Sequence, residues 1–222
     1  VRDSMPTKLA KSTTIISNPF ETPVVDYPCA RQSMFAVIGG ERSPLVAFAG
    51  TLMEQKRPSV FLSTAAYLSR KTEAHFVLFG RSGDILHDLK KQAAQLGIME
   101  RVTFAGFRQD FEYLLPGCDL LLAPAVNEGH GRVLVEAMLA RVPVIAANSG
   151  GHREIIQDRK TGLLVPPDNP SAFSTAAMLM LNEPGFRAKI VENARSWASS
   201  TFSPRHHAQQ IASVYRNLLK TH

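Results

Sequence analysis

Asp119-Leu-Leu-Leu-Ala-Pro124, then Glu128-Gly-His-Gly-Arg-Val-Leu-Val-Glu136-Ala-Met-Leu-Ala140, then Pro143-Val-Ile-Ala-Ala-Asn148: this passage decides the fold. Its first and third parts are short apolar runs stopped by Pro and Asn, the pattern of strands buried in a parallel sheet. Between them, Val133 to Ala140 is apolar on every face except at Glu136. A helix of that kind is buried. An unpaired carboxylate is rarely tolerated in such a place, so Glu136 is expected to face a cleft where something polar meets it. Gly129 and Gly131 keep side chains off the approach to the helix, whose free first-turn amides suit an anion such as a diphosphate.

Working outward, the same alternation continues. Leu45–Gly50, His75–Gly80, Arg101–Gly106 and Thr161–Pro166 read as further strands, each stopped by Gly or Pro. Phe61, Ala65 and Leu68, and then Leu86, Leu89, Ala93 and Leu96, repeat at helical spacing. Asp110 is placed to cap Phe111–Leu115, and Asn169 or Ser171 to cap Ala172–Leu181. Strand–helix alternation predicts a doubly wound α/β layer sandwich, mostly parallel, with helices on both faces. Pro19, Pro23, Pro28 and Pro44 make residues 18–44 read as a loop or linker. Thr13–Ser17 reads as one more short strand, and residues 185–220 as two helices broken at Ser203-Pro204. Open parallel sheets bind ligands beyond the carboxyl ends of their strands. There the sequence puts Gly50-Thr51, Gly80-Arg81-Ser82-Gly83, Gly106-Phe107-Arg108, Asn127-Glu128-Gly129 and Asn148-Ser149-Gly150-Gly151. Each alone is turn chemistry; on one rim they make a crevice.

Composition narrows the partners. The chain has 222 residues, 45% hydrophobic and 20% charged, with a formal net charge of +6, which is ordinary for a globular fold. Lys and Arg are dispersed in pairs, with no basic face interleaved with aromatics, so nucleic acid is not expected. A basic surface permits peripheral membrane contact without demanding it. Cys29 and Cys118 match no metal or redox spacing and fit a reducing cytoplasm. His152, His206 and His207 read as surface histidines, and no metal is expected. No G-x-G-x-x-G follows a strand, which disfavours a dinucleotide-binding domain. The start at Val1, without an initiator Met, reads as a fragment or a processed product.

Taken together, Glu128-x(7)-Glu136, Pro143-Val-Ile-Ala146, Gly150-Gly-His-Arg-Glu-Ile-Ile156 and Thr161-Gly-Leu-Leu-Val-Pro-Pro167 resemble the C-terminal domain of the retaining GT-B glycosyltransferases. These are the large group-one family that uses nucleotide-diphosphate sugars, and the likeness spans roughly residues 45–200. It implies a Rossmann-like domain that holds the donor. Glu136 would take the ribose hydroxyls and Glu128 those of the sugar, with backbone amides of Gly129, His130, Gly131, Arg132 and Val133 on sugar and diphosphate. Gly50-Thr-Leu-Met-Glu-Gln-Lys56 resembles the family's Gly-Arg-Leu…Lys element, whose Arg and Lys clamp the diphosphate. Lys56 fits, but Thr51 stands in the place of the Arg and Arg57 in that of a Gly, leaving Arg57 or Arg132 to compensate. His130 replaces a Phe. Gly106, Phe107 and Arg108 would line the base pocket through their backbone.

The resemblance also implies boundaries. Residues 1–18 would be the tail of an N-terminal domain and its linker, 19–203 the nucleotide-sugar-binding domain, and 204–222 a helix crossing back to the missing partner. Transfer would retain anomeric configuration with no cofactor besides the donor, Glu128 and Lys56 carrying the chemistry. The setting would be the cytoplasm, at the inner membrane face if lipid is met. This chain alone would be inactive. The rivals are a non-catalytic nucleotide-sugar-binding module, motivated by Thr51, and a GT-B-like nucleotide-sugar epimerase. Plainer roles stand beside the functional ones: Glu128 as a helix cap, Glu136 as a partner of Arg132 at helical spacing, Lys56 as a solvated lysine.

Overall fold

A computed structural model describes residues 13–220. The outer parts of the expected tail and last helix, residues 1–12 and 221–222, lie outside the described residues. Six strands form one parallel sheet: β1 Leu45–Ala49, β2 His75–Phe79, β3 Val102–Gly106, β4 Leu120–Ala123, β5 Val144–Ala147 and β6 Leu163–Val165. Their order, β3-β2-β1-β4-β5-β6, reverses direction between β1 and β4. That reversal opens the crevice in which doubly wound sheets bind ligands. The expected fold class is the observed one.

Helices cover both faces, because strands apolar on both sides must be buried twice. One layer holds α2 Pro58–Ser69, α3 Leu86–Gln95 and α7 Pro170–Asn182, joined to the sheet through Phe61, Phe76 and Phe173. The other holds α1 Tyr27–Ile38, α4 Phe111–Leu114, α5 Arg132–Leu139 and α8 Pro184–Thr201, around Met34, Leu134, Met138 and Ala198. The four-residue α6 His152–Ile155 follows β5, and Trp197 of α8 pins it by donating its indole N–H to the Ile155 carbonyl. α9 Pro204–Lys220 begins where Ser203-Pro204 breaks the chain, as expected. Asn169 caps α7 by accepting from the Ala172 amide. Among the described residues no helix is long and apolar enough to cross a membrane.

Three expectations are corrected. Residues 18–44 are not simply a loop, because α1 lies within them. Asp26 accepts from the Cys29 amide, Pro28 sits in the first turn where its missing N–H costs nothing, and Ala30 and Met34 form a one-turn apolar spacing that the prolines mask. Arg31 then bonds the Gly117 carbonyl and Asp119, and Asp119 also accepts from the Leu45 amide, so α1 is tied to the starts of β1 and β4. Thr13–Ser17 is not a strand. It lies against α9, where His207 Nδ1 is 2.8 Å from the Ser17 carbonyl, rather than along a sheet edge. Asp110 does precede α4 but gives it no side-chain bond, since both its oxygens are held by Arg108 at 2.7 and 2.8 Å.

Candidate functional site

Beyond the ends of β1, β2 and β4 the rim encloses a cavity of about 420 Å³. Gly50, Thr51, Lys56, Arg81, Phe107, Arg108, Glu128, His130, Arg132, Val133 and Glu136 all border it, so nearly every side chain anticipated from the sequence meets there. Backbone packing builds the walls. A Cβ on Gly80 would stand 1.8 Å from the Gly50 carbonyl oxygen, and one on Gly151 would stand 2.3 Å from that of Gly129. Only glycine permits either approach. The Gly151 amide donates to the Glu128 carbonyl at 2.7 Å, which holds the 127–131 loop over the start of α5. Gly131 is the residue before that helix, and no side chain caps its first amides.

Glu128 is held from two sides. One carboxylate oxygen pairs with the Lys56 ammonium. The other lies 3.5 Å from His152 Nε2. His152 is fully buried rather than at the surface, and its Nδ1 is 3.0 Å from the Ala147 carbonyl. Nothing in the local sequence pattern marks that ring as buried, since it follows two glycines at the head of a four-residue helix. Burial is the largest influence on the Glu128 carboxyl and pushes it up. His152 and Lys56 together outweigh burial and leave it below the ordinary carboxylate range.

Glu136 is tuned the other way. It sits in the second turn of α5, half-buried, with Arg132 Nη2 3.6 Å distant and itself largely exposed. Burial first, with the Glu112 charge adding to it, raises the Glu136 carboxyl above its usual range despite Arg132. An acid held uncomfortably at a cavity wall gains from hydroxyl donors, because a carboxylate accepts at both oxygens. The His130 ring packs against Phe20 and Phe202 at 6.1 and 6.0 Å between centroids, and burial, with Arg132 next, lowers its pKa.

Arg57 does not border the cavity. Its backbone is left-handed at φ 55°, and its Nε is 2.9 Å from Asp168. The site therefore combines a short polar cradle, one lysine, two carboxylates of opposite bias and a helix start without a side-chain cap, where the Arg132 and Leu134 amides donate to the His130 and Gly131 carbonyls, at the switch point of a Rossmann-like sheet. Cations, carboxylates and backbone amides in that arrangement are chemically suited to a phosphorylated, hydroxyl-rich ligand.

Residues 31–197 match the family described as glycosyl transferases group 1, and the chain belongs to it. It is 28% identical over 183 residues to the alpha-D-kanosaminyltransferase of Streptomyces kanamyceticus, covering 81% of this chain and 47% of that protein. It is 34% identical over 184 residues to the D-inositol 3-phosphate glycosyltransferase of Rhodococcus jostii, covering 79% and 40%. The chain thus spans less than half the length of these two relatives. Its fold superposes on that of Anabaena Alr3699/HepE, solved in complex with UDP and glucose, with a TM-score of 0.86 at 28% identity. That alignment covers 94% of this chain and 58% of HepE. The domain is the Rossmann-like C-terminal half of a GT-B fold.

Proposed function

We propose that this chain is the donor-binding half of a retaining glycosyltransferase that uses a nucleotide-diphosphate sugar. The observation that carries the reading is the convergence of Lys56, Glu128, Glu136 and the uncapped start of α5 on one cavity at the sheet's switch point. At the cavity Lys56 and Glu128 pair with each other. Donor binding exchanges that pair: the ammonium turns to the diphosphate, and the carboxylate, kept anionic beside His152, accepts hydroxyls of the sugar. Glu136 takes the ribose hydroxyls. As the glycosidic bond breaks, charge grows on the departing diphosphate, where Lys56 and the amides of residues 129–133 stabilise it.

Phe107 and Arg108 lie at the end where the base would rest, and no cofactor besides the donor is required. In this reading residues up to 18 belong to the connection from an N-terminal domain that binds the acceptor, 19–203 hold the donor, and 204–222 return to that partner. The 222-residue chain alone then binds nucleotide but transfers nothing. A cytoplasmic setting supplies the donor, and the basic surface suits contact with an anionic membrane face.

Calorimetry against UDP, GDP and ADP tests the proposal. One of them is expected to bind, and Lys56→Ala to weaken it by about tenfold or more, as for a lost bond between charged groups. Flat titrations with all three nucleotides would end the reading.

A further inference from the structure

The family resemblance leaves one vacancy, because position 51 offers a threonine where the diphosphate clamp has an arginine. β1 and β2 are adjacent and parallel, with Ala49 opposite Phe79. Continued past the strand ends, that register sets Thr51 beside Arg81. The backbone is locked in this arrangement: the Gly50 amide donates to the Phe79 carbonyl at 2.9 Å, the Leu52 amide donates to the Arg81 carbonyl at 3.1 Å, and Gly80 touches Gly50. Arg81 thus leaves the rim one strand over from position 51 and borders the same cavity as Lys56. Its guanidinium lies over the Phe107 ring, 5.0 Å from the centroid. Such a cation–ring contact fills no N–H donor with an acceptor oxygen, so the guanidinium keeps donors for phosphate oxygens.

The other cations at the cavity are engaged. Lys56 pairs with Glu128, Arg108 is held by Asp110 through two bonds, and Arg132 reaches towards Glu136 from above the Phe20 ring. Arg57 is turned to Asp168. Among the described residues, Arg81 is the cavity-lining cation with no carboxylate partner. We infer that Arg81 supplies the second cationic contact to the donor's diphosphate, the clamp having moved from the end of β1 to the end of β2. The inference rests on the donor-binding reading above and adds a residue to it.

The test is calorimetry on the 222-residue chain, using whichever of UDP, GDP and ADP the unsubstituted protein binds. Arg81 is exposed, so Arg81→Ala should melt at the unsubstituted temperature. It is expected to bind the nucleoside diphosphate about tenfold or more weakly. Arg81→Lys should retain part of the affinity. Thr51→Arg added to Arg81→Ala should restore most of it, which no merely structural role of Arg81 would produce. Equal affinity of Arg81→Ala and the unsubstituted chain overturns the inference while leaving the donor site standing. So does a loss that Thr51→Arg does not recover. Failure of the unsubstituted chain to bind any of the three nucleotides removes both.

Discussion

Glu136 is expected to act in opposite directions on stability and on the proposed nucleotide binding. Its carboxyl is held above the usual range by burial and by Glu112, so the fold favours the protonated form more than the unfolded chain does. Ionisation therefore costs stability, and the cost grows as pH rises through the unfolded and then the folded pKa. Glu136→Gln keeps the shape and removes the charge. At pH 7 the variant is expected to melt about 2 °C higher, with the difference shrinking as pH is lowered towards about 4, where the unfolded-state carboxyl itself takes up its proton. Nucleoside diphosphate binding should fall at the same time, because an amide offers one acceptor oxygen where the carboxylate offers two. A variant no more stable at pH 7, or one binding as tightly, would contradict this. The sequence displayed Glu136 plainly, since a single acid interrupts an apolar helix. It did not display His152, whose role depends on its ring folding back under the loop that carries Glu128.

At the scale of elements, all six strands were legible because strands covered on both faces read as short apolar runs whatever their neighbours do. α1 was not, because its prolines resemble a linker and its apolar side is only Ala30 and Met34 deep. Nor could the sequence reveal that Asp110 prefers the guanidinium of Arg108 to the amides of α4. β2 carries a consequence of its own. His75 opens the strand 4% exposed, with Nε2 2.8 Å from Thr103 Oγ1. Burial chiefly, then Arg42 and Arg101, lower its pKa to about 4. The fold keeps this ring neutral, whereas the unfolded chain protonates it near the ordinary value of about 6.5. Its contribution is present above that value and is lost as pH falls towards 4. Urea midpoints at about pH 7 and 4.5 should show His75→Gln losing less stability than the unsubstituted chain, by something on the order of 2 kcal/mol. Parallel losses in both proteins would assign the acid sensitivity elsewhere.

Across the whole molecule, residues 17–20 and 202–207, far apart in sequence, lie side by side next to the candidate site. The Phe20 amide donates to the Phe202 carbonyl at 2.7 Å, their rings meet edge to face 6.3 Å apart, and Ser17 meets His207. His130 of the 127–131 loop packs against both rings, and the Arg132 guanidinium lies 4.9 Å above Phe20. The two segments and the loop thus share one aromatic cluster, so a disturbance of their contact should be felt in the site. Phe202 is 4% exposed, is not itself among the residues that line the cavity, and meets the rings of His130 and Phe20. Phe202→Ala is expected to cost about 3 kcal/mol, or roughly 6–12 °C in melting temperature. Nucleoside diphosphate binding should weaken as well, measured well below the melting transition, while Phe202→Leu, which keeps most of the volume, should restore much of both. Packing alone would lower stability and leave the affinity of the folded protein untouched. Coupling between the Phe20–Phe202 contact and the loop lowers both together, and that pairing separates the two.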